Sequence, residues 1–239
     1  MLANGPEMFA QIGTFGAEVQ KPATFRHELL AFISNELPRW RDRPDRPKAT
    51  AETVLTSQLC AHLNSTARHS NGWDILQFRV EESDEQNSGR KIDLVASPSG
   101  TTICIEGRRH TDFDSLMPIE CKRLPTPQGK DRDEREYVTS QFSSTGGIQR
   151  FKAGHHGAVH EAAAMIGYIQ EKTTAYWEQR IAEWINSLAG TNQSGWTAQD
   201  LLCIEREDAA EKLAIFHSSH SRQNGLTEIE LWHLWVEMN

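Results

Sequence analysis

Three charged residues, Asp93, Glu120 and Lys122, stand inside two short apolar runs and are spaced for joint chemistry. Side chains alternate between the two faces of a strand, so Glu120 and Lys122 point to one face while Cys121 points to the other. Asp93 likewise faces away from the apolar side of its own run. If the two runs are neighbouring strands, two carboxylates and one ammonium group meet at one place.

Such a cluster suits Mg²⁺ or Mn²⁺. Hard divalent cations take oxygen ligands, and one or two carboxylates commonly hold them together with water and phosphate oxygens. Asp93 and Glu120 are therefore candidate metal ligands. A lysine beside them orients or helps to deprotonate a water molecule and offsets charge that develops on a phosphate. This chemistry is that of phosphodiester hydrolysis, with Lys122 as the lysine.

The order of these residues resembles the PD-(D/E)XK nuclease superfamily, whose signature is an acid on one strand and Glu-x-Lys on the next. The matching residues are Asp93 and the run Glu120-Cys121-Lys122, and Ile92 stands where the superfamily's name places a proline. The resemblance covers about residues 50–170. It implies an α/β fold with a restriction-endonuclease-like mixed central β-sheet flanked by helices. It also implies a nucleic-acid substrate, DNA in preference to RNA, and a role in bacterial restriction or phage defence.

The resemblance assigns roles to four more residues. The backbone carbonyl of Cys121 would assist Asp93 and Glu120 in binding the ion. Members often carry a glutamate on a helix before the first motif strand, and Glu52 has that place here; its alternative role is to stabilise the start of the helix through the helix dipole. Gln149 and Arg150, which follow two glycines at the start of a predicted helix, resemble the polar residues that many members use near the scissile phosphate. Both are candidate nucleic-acid contacts.

Other acids compete for the first position of the motif. Asp112 or Asp114 would replace Asp93 if the segment between the two runs carries the motif strand. The run Glu106-Gly107-Arg108 imitates Glu-x-Lys, but its arginine cannot give up a proton at a useful pH. We therefore expect Asp93 to be the acid, with an additional strand at 101–106 filling the distance to Glu120.

The histidines indicate a rival site of another class. His156 and His160 are four residues apart, which is the spacing of zinc ligands on a helix. A third ligand would come from His217, His220 or His233, and the chain would then be a zinc hydrolase. The helix lacks the HExxH motif.

Charge and composition limit the class of protein. The net charge of −8 argues against a general nucleic-acid-coating protein, although a local basic groove remains compatible with it. There is no run of eighteen apolar residues, so no membrane span is expected. Four cysteines without CxxC spacing, at 60, 104, 121 and 203, predict buried thiols in a reducing cytoplasm.

The elements before the motif are predicted from apolar periodicity. Residues 1–49 hold a helix at 24–37, ended by Pro38, and an Arg/Pro-rich linker. Residues 50–239 form the nuclease-like domain with a C-terminal helix and β-hairpin. Its first helix, at 51–68 with Thr50 as the N-cap, places Glu52 on the side that faces the core. A strand at 73–80 and a polar turn at 81–89 lead to the motif strands.

The elements after the motif begin with an exposed loop at 125–136. A short helix up to residue 152 and a strand at 164–169 follow. The next helix, at 174–188, carries a stripe with Trp177 and Trp184, and Asn224-Gly225 predicts a hairpin between 213–222 and 226–238. These last two elements also favour a different function: a non-catalytic scaffold that keeps the nuclease fold and binds itself as a homo-oligomer or binds a sensor or regulatory protein.

Overall fold

The computed structural model describes residues 24–105, 107–130, 132–141, 146–191, 195–223 and 225–239. They form a mixed α/β fold in which helices flank a seven-stranded β-sheet. The helices are α1 Thr24–Arg41, α2 Glu52–His69, α3 Gly147–Lys152 and α4 Thr174–Gly190, with a 3-10 helix at Ala198–Asp200. The strands are β1 Leu76–Ser83, β2 Lys91–Pro98, β3 Ile103–Ile105, β4 Arg108–His110, β5 Met117–Leu124, β6 Ala162–Ile169, β7 Cys203–Asp208, β8 Leu213–His220 and β9 Ile229–Glu237.

The sheet has the strand order β1-β2-β5-β6-β9-β8-β7. Its three central strands, β5, β6 and β9, run parallel, and all other neighbours are antiparallel. Parallel neighbours need a crossover connection, which α3 and its loops provide between β5 and β6. β3 and β4 form a separate hairpin in the segment between β2 and β5. The predicted mixed sheet flanked by helices is confirmed.

Each face of the sheet buries its own apolar cluster. α1 and α2 cover the face that carries Ile119 and Cys121 of β5. α3 and α4 cover the opposite face, which carries Leu124 and, on the neighbouring strand, Met165. Because side chains alternate along β5, Glu120 and Lys122 lie on this second face. The motif strand therefore sits between two cores, and the apolar residues on both sides fix its orientation.

Two predicted helix boundaries are wrong. α1 continues through Pro38 to Arg41, because Leu37 and Trp40 are both buried in the core and outweigh the loss of one backbone hydrogen bond. α2 begins after Ala51, not after Thr50, and Ala51 makes no side-chain cap bond. Glu52 is thus in the first turn of α2 and close to the sheet.

The later elements agree with the prediction in kind and differ in detail. The C-terminal hairpin pairs β8 with β9, but β9 is also the parallel neighbour of β6, so it is a central strand. Strands β4 and β7 were not predicted. Cys60 and Cys121 are buried as expected, whereas Cys104 and Cys203 are exposed. Of the predicted features, residues 1–23 of the N-terminal region, Glu106, Asp131 of the loop at 125–136 and Asn224 lie outside the described residues. No helix within the described ranges is long and apolar enough to cross a membrane.

Candidate active site

The site forms where β2 stops pairing with β5. The last paired residues of the two strands are Leu94 and Ile119. Beyond this point carboxylates replace the backbone of β2: Asp93 Oδ2 accepts a hydrogen bond from the Cys121 N–H at 2.8 Å, and Glu52 Oε2 accepts one from the Arg123 N–H at 3.0 Å. Where the pairing of β2 with β5 ends, Asp93 of β2 and Glu52 of α2 therefore bind the free backbone N–H groups of β5.

The ammonium group of Lys122 lies among three carboxylates. Its Nζ is 2.8 Å from Glu120 Oε1, 3.2 Å from Glu52 Oε1 and 3.6 Å from Asp93 Oδ2. It also donates to the backbone carbonyl of Cys121 at 2.9 Å. The structure thus brings together the three residues of the predicted motif, and the glutamate that the resemblance added, around one cation.

Glu120 is fully buried, and each of its oxygens has at least one charged or hydrogen-bonding neighbour. Arg150 Nη1 is 2.5 Å from Oε1, which Lys122 also contacts. His156 Nδ1 is 3.2 Å from Oε2. Burial alone would raise the pKa of the Glu120 carboxyl, but Lys122, His156 and Arg150 outweigh it and hold this pKa far below its usual range. Glu120 is therefore a permanent anion with a fixed orientation.

Asp93 is the acid whose charge is least compensated. Burial raises the pKa of its carboxyl to about 7, and repulsion from Glu120 adds to the effect of burial, while Lys122 and the Cys121 N–H oppose it. The Asp93 side chain is 21% exposed, so solvent can reach it. Asp93 can consequently gain or lose a proton near neutral pH.

Lys122 remains protonated in this arrangement. Burial would lower the pKa of its ammonium group, but Glu120, Asp93 and Glu52 together raise this pKa well above its usual value. A protonated lysine donates hydrogen bonds and cannot accept a proton. The side chain can therefore orient a water molecule or a phosphate oxygen, whereas removal of a proton from water falls to another group.

The donor atoms of the site fit a hard divalent ion. Across the described residues, no group of three or more Asp, Glu, His or Cys side chains forms a ready metal cage. Mg²⁺ does not need one, because it usually binds one or two carboxylates and keeps several waters. Asp93 and Glu120, with the carbonyl of Cys121, supply such oxygens. Burial and, second, repulsion from Glu120 disfavour the ionised form of Asp93, and a bound cation would stabilise that form.

Comparisons with known proteins identify no relative. No family model, curated protein or solved structure matches the chain.

Of the two residues predicted to contact nucleic acid, Gln149 and Arg150, only Arg150 faces the site. The guanidinium of Arg150 binds Glu120, and the Arg150 side chain is 27% exposed. Gln149 turns away, and its Oε1 accepts hydrogen bonds from Thr139 Oγ1 and from the Gly146 N–H at the start of α3. In this structure Gln149 caps the helix, and Arg150 is the one of the pair that faces the carboxylates.

The competing acids lie in a local turn between β4 and β5. Asp112 Oδ1 accepts a hydrogen bond from the Gly100 N–H. Asp114 Oδ2 accepts from the N–H and the hydroxyl of Thr111. Both carboxylates stabilise loops. Asp93, not Asp112 or Asp114, is the acid that the fold places beside Lys122.

The histidines do not form the predicted zinc site in the part of the chain that the structure describes. α3 ends at Lys152, so His156 and His160 lie in a loop instead of on a helix. They diverge: His156 contacts Glu120, and His160 lies 3.4 Å from Glu85. His217 lies between two exposed glutamates, Glu205 and Glu230, while His220 and His233 are buried.

A buried polar network beside the site was missed by sequence reasoning. Hydrogen bonds link Lys152 to Asp200, Asp200 to His220, His220 to Ser218 and Ser218 to His233. His233 continues to the hydroxyl of Tyr137, which also accepts a hydrogen bond from Trp235 Nε1. One signal was available in the sequence, since Ser218 and His220 share a face of a predicted strand. Asp200 lies in a 3-10 helix that apolar periodicity does not reveal.

Proposed function

We propose that this chain is a divalent-metal-dependent nuclease of the restriction-endonuclease-like fold. It would hydrolyse phosphodiester bonds, with DNA as the preferred substrate over RNA. The observation that carries the proposal is the Lys122 ammonium group among the carboxylates of Glu52, Asp93 and Glu120, which come from three separate elements. A carboxylate pair can hold a divalent ion for phosphodiester hydrolysis, and an adjacent lysine can orient water or offset charge on the phosphate.

The order of the elements supports the same proposal. A helix with Glu52 precedes three sheet strands, β1, β2 and β5, and then α3 and β6 follow. This is the order that the PD-(D/E)XK resemblance implies. β5 and β6 are also parallel, as a helical crossover between neighbouring strands requires.

Each residue has a defined task in the proposed reaction. Asp93, Glu120 and the carbonyl of Cys121 would hold Mg²⁺ or Mn²⁺, with Glu52 next to them. A bound ion would polarise a phosphoryl oxygen and stabilise the charge that develops on it. Lys122, held protonated, donates a hydrogen bond that orients the attacking water or a phosphate oxygen. Asp93 would be ionised while it holds the ion, because a nearby cation lowers the pKa that burial raises in the metal-free site.

Within the described residues, the features named for the scaffold alternative are largely internal. Its two proposed interfaces were the tryptophan helix and the C-terminal hairpin. Trp177 and Trp184 of α4 are buried in the core of the chain itself, and β9 lies between two other strands. A scaffold would assemble without metal and leave nucleic acid intact, and the cleavage assay and a mass measurement in solution detect both properties.

The proposal is tested by cleavage assays with Mg²⁺ or Mn²⁺ on supercoiled, linear and single-stranded DNA and on RNA. The wild type is expected to cut at least one substrate and to stop when EDTA is added. Glu120→Gln and Lys122→Met are expected to lower the rate about 100-fold or more, since each removes a charge from the reacting centre.

Glu183→Gln is the matched control, because Glu183 is an exposed carboxylate on α4 that pairs with Arg180. It is expected to cut at the wild-type rate. Circular dichroism verifies that each variant is folded. A folded wild type that cuts none of the substrates with either metal, or a Lys122→Met variant that cuts normally, would refute the nuclease assignment.

A further inference from the structure

The loop between α3 and β6 places the imidazole of His156 in the candidate active site. His156 is buried, and its Nδ1 lies 3.2 Å from Glu120 Oε2. Its ring also meets Phe151 of α3 edge-on, at 6.1 Å between ring centres. Lys122 and Arg150 both contact the other oxygen, Oε1. Within the described residues, the hydrogen bond with His156 is therefore the contact that holds Oε2.

The loop itself is fastened to two distant hairpins. The guanidinium of Arg222, which follows β8, donates to the carbonyls of Gly157 and His160 at 3.0 Å each. On the other side, Asp84 at the tip of the β1–β2 hairpin accepts a hydrogen bond from the Gly157 N–H at 3.2 Å. Bonds from both sides fix the backbone immediately after His156.

The turn at Gly157 brings this loop close to β5. Its φ is +60°, in the left-handed region that side chains other than glycine disfavour. A Cβ at this position would lie 3.1 Å from Pro118 Cγ on the motif strand. The loop can thus run directly against β5, two residues before Glu120, and deliver His156 to it.

We propose that His156 is a positioning residue for Glu120, an inference that rests on the proposed function. The terminal torsion of a glutamate side chain is broad, so two cations on Oε1 leave Oε2 free to rotate about that contact. The bond to His156 removes this freedom and fixes the plane of the carboxylate. Glu120 is then oriented toward the ion before the ion and the substrate arrive.

The test uses two substitutions at His156 and one matched control. His156→Phe keeps a ring against Phe151 but removes the hydrogen bond. His156→Asn restores a donor near the place of Nδ1. His160→Phe is the control, since His160 is buried in the same loop but contacts Glu85.

The first readout is steady-state cleavage of the DNA that the wild type cuts. At saturating metal, His156→Phe is expected to lower kcat about tenfold to 100-fold with KM changed less than twofold, because the ion site is then filled and the misorientation of Glu120 acts on the chemical step. His156→Asn is expected to recover most of the loss, and His160→Phe to match the wild type. Normal kcat in His156→Phe, or equal loss in the Asn and Phe variants or in the His160 control, overturns the proposal.

The second readout is Mn²⁺ binding without nucleic acid, followed by electron paramagnetic resonance. His156→Phe is expected to weaken Mn²⁺ binding about tenfold, as loss of a residue that orients a metal ligand does, and His156→Asn to restore it. If the wild type cuts nothing, the nuclease assignment fails and this titration alone decides the role of His156. Unchanged Mn²⁺ affinity in His156→Phe, or no Mn²⁺ binding by the wild type, overturns it.

Discussion

At the residue scale, the site is built on one ammonium group, that of Lys122, which three carboxylates share. Three carboxylates lie within 3.6 Å of its ammonium group, and Arg150 compensates only the most deeply buried of them, Glu120. Burial raises the pKa of the third carboxyl, Asp93, to about 7, and repulsion from Glu120 adds to this effect. A site that buries an incompletely compensated carboxylate in this way costs stability and gains affinity for a cation.

This cost predicts that Asp93→Asn stabilises the protein at alkaline pH. The folded carboxyl of Asp93 keeps its proton up to about pH 7, whereas the unfolded one releases it near its ordinary value of 3.8. Between these values the folded state binds more protons, so the free energy of unfolding falls as the pH rises. At pH 8 the variant is expected to be more stable than the wild type by up to about 4 kcal/mol, and at pH 4 the difference should fall below about 1 kcal/mol.

Urea unfolding in EDTA at the two pH values measures this difference. Asp114→Asn is the control of opposite sign. The N–H and hydroxyl of Thr111 hold the pKa of the Asp114 carboxyl below its usual range, so this charge stabilises the fold at pH 8 and its loss should destabilise the protein. The raised pKa of Asp93 is contradicted if the Asp93→Asn variant is less stable than the wild type at pH 8. It is also contradicted if the difference in free energy of unfolding is the same at both pH values.

Some residues of the site follow from sequence and others do not. Strand alternation places Glu120 and Lys122 on one face, and the pairing of β2 with β5 brings Asp93 to them, as the sequence predicts for neighbouring strands. His156 was considered only as a zinc ligand, because its place depends on the turn at Gly157 and on contacts from Arg222. Such contacts join residues far apart in the chain and leave no periodic signal.

At the scale of elements, the centre of the sheet depends on close contact between β5, β6 and β9. Gly167 of β6 lies in register with Lys122 on one side and with Trp235 on the other. The indole of Trp235 covers the place where a side chain would stand, since a Cβ on Gly167 would meet Trp235 Cδ1 at 2.5 Å. The absence of a side chain lets Trp235 reach the hydroxyl of Tyr137.

Gly167→Ala is therefore expected to destabilise the protein by about 1 to 3 kcal/mol, the range for overpacking a core. Gly190→Ala is the matched control. Gly190 is the last residue of α4, and no atom lies within 4 Å of a Cβ placed there. That substitution should be neutral or slightly stabilising, since alanine favours helix over glycine. Thermal unfolding followed by circular dichroism compares the two, and equal melting temperatures would show that Trp235 accommodates the methyl group.

Elements with strong periodicity were predicted and the others were missed. The apolar stripe of α4 and the alternation in β8 and β9 gave elements of the right kind. β7 carries exposed charges on both faces, so it has no alternating pattern, and it exists because β8 offers a free edge. α1 passes Pro38 because the buried Trp40 holds the next turn, a tertiary effect that local propensity does not contain.

At the scale of the whole molecule, the C-terminal hairpin belongs to the core that carries the site. β9 inserts between β6 and β8, and its His233 and Trp235 join the buried polar network. The network also includes Lys152 of α3, the helix that supplies Arg150 to Glu120. The sequence indicated the hairpin but not this topology, because nothing local to β9 specifies which strands lie beside it.

The Lys152–Asp200 pair is the ion pair of this buried network. Both side chains are buried, and Asp200 accepts hydrogen bonds from Lys152, from His220 and from the Thr197 N–H. Asp200→Ala leaves the ammonium of Lys152 buried without its anion and is expected to cost about 3 to 5 kcal/mol.

A double-mutant cycle separates the lost pairing from the lost packing. Lys152→Met in the Asp200→Ala background removes the unpaired charge, keeps an apolar stem against Trp196, and is expected to recover at least about 1 kcal/mol. Urea unfolding of the four proteins gives the coupling energy. The Arg180–Glu183 pair on α4 is the exposed comparison, and Glu183→Ala should leave the unfolding midpoint nearly unchanged because water screens both charges. A double variant less stable than Asp200→Ala alone would mean that Lys152 contributes through its other contacts, and that α3 is not held in place by this ion pair.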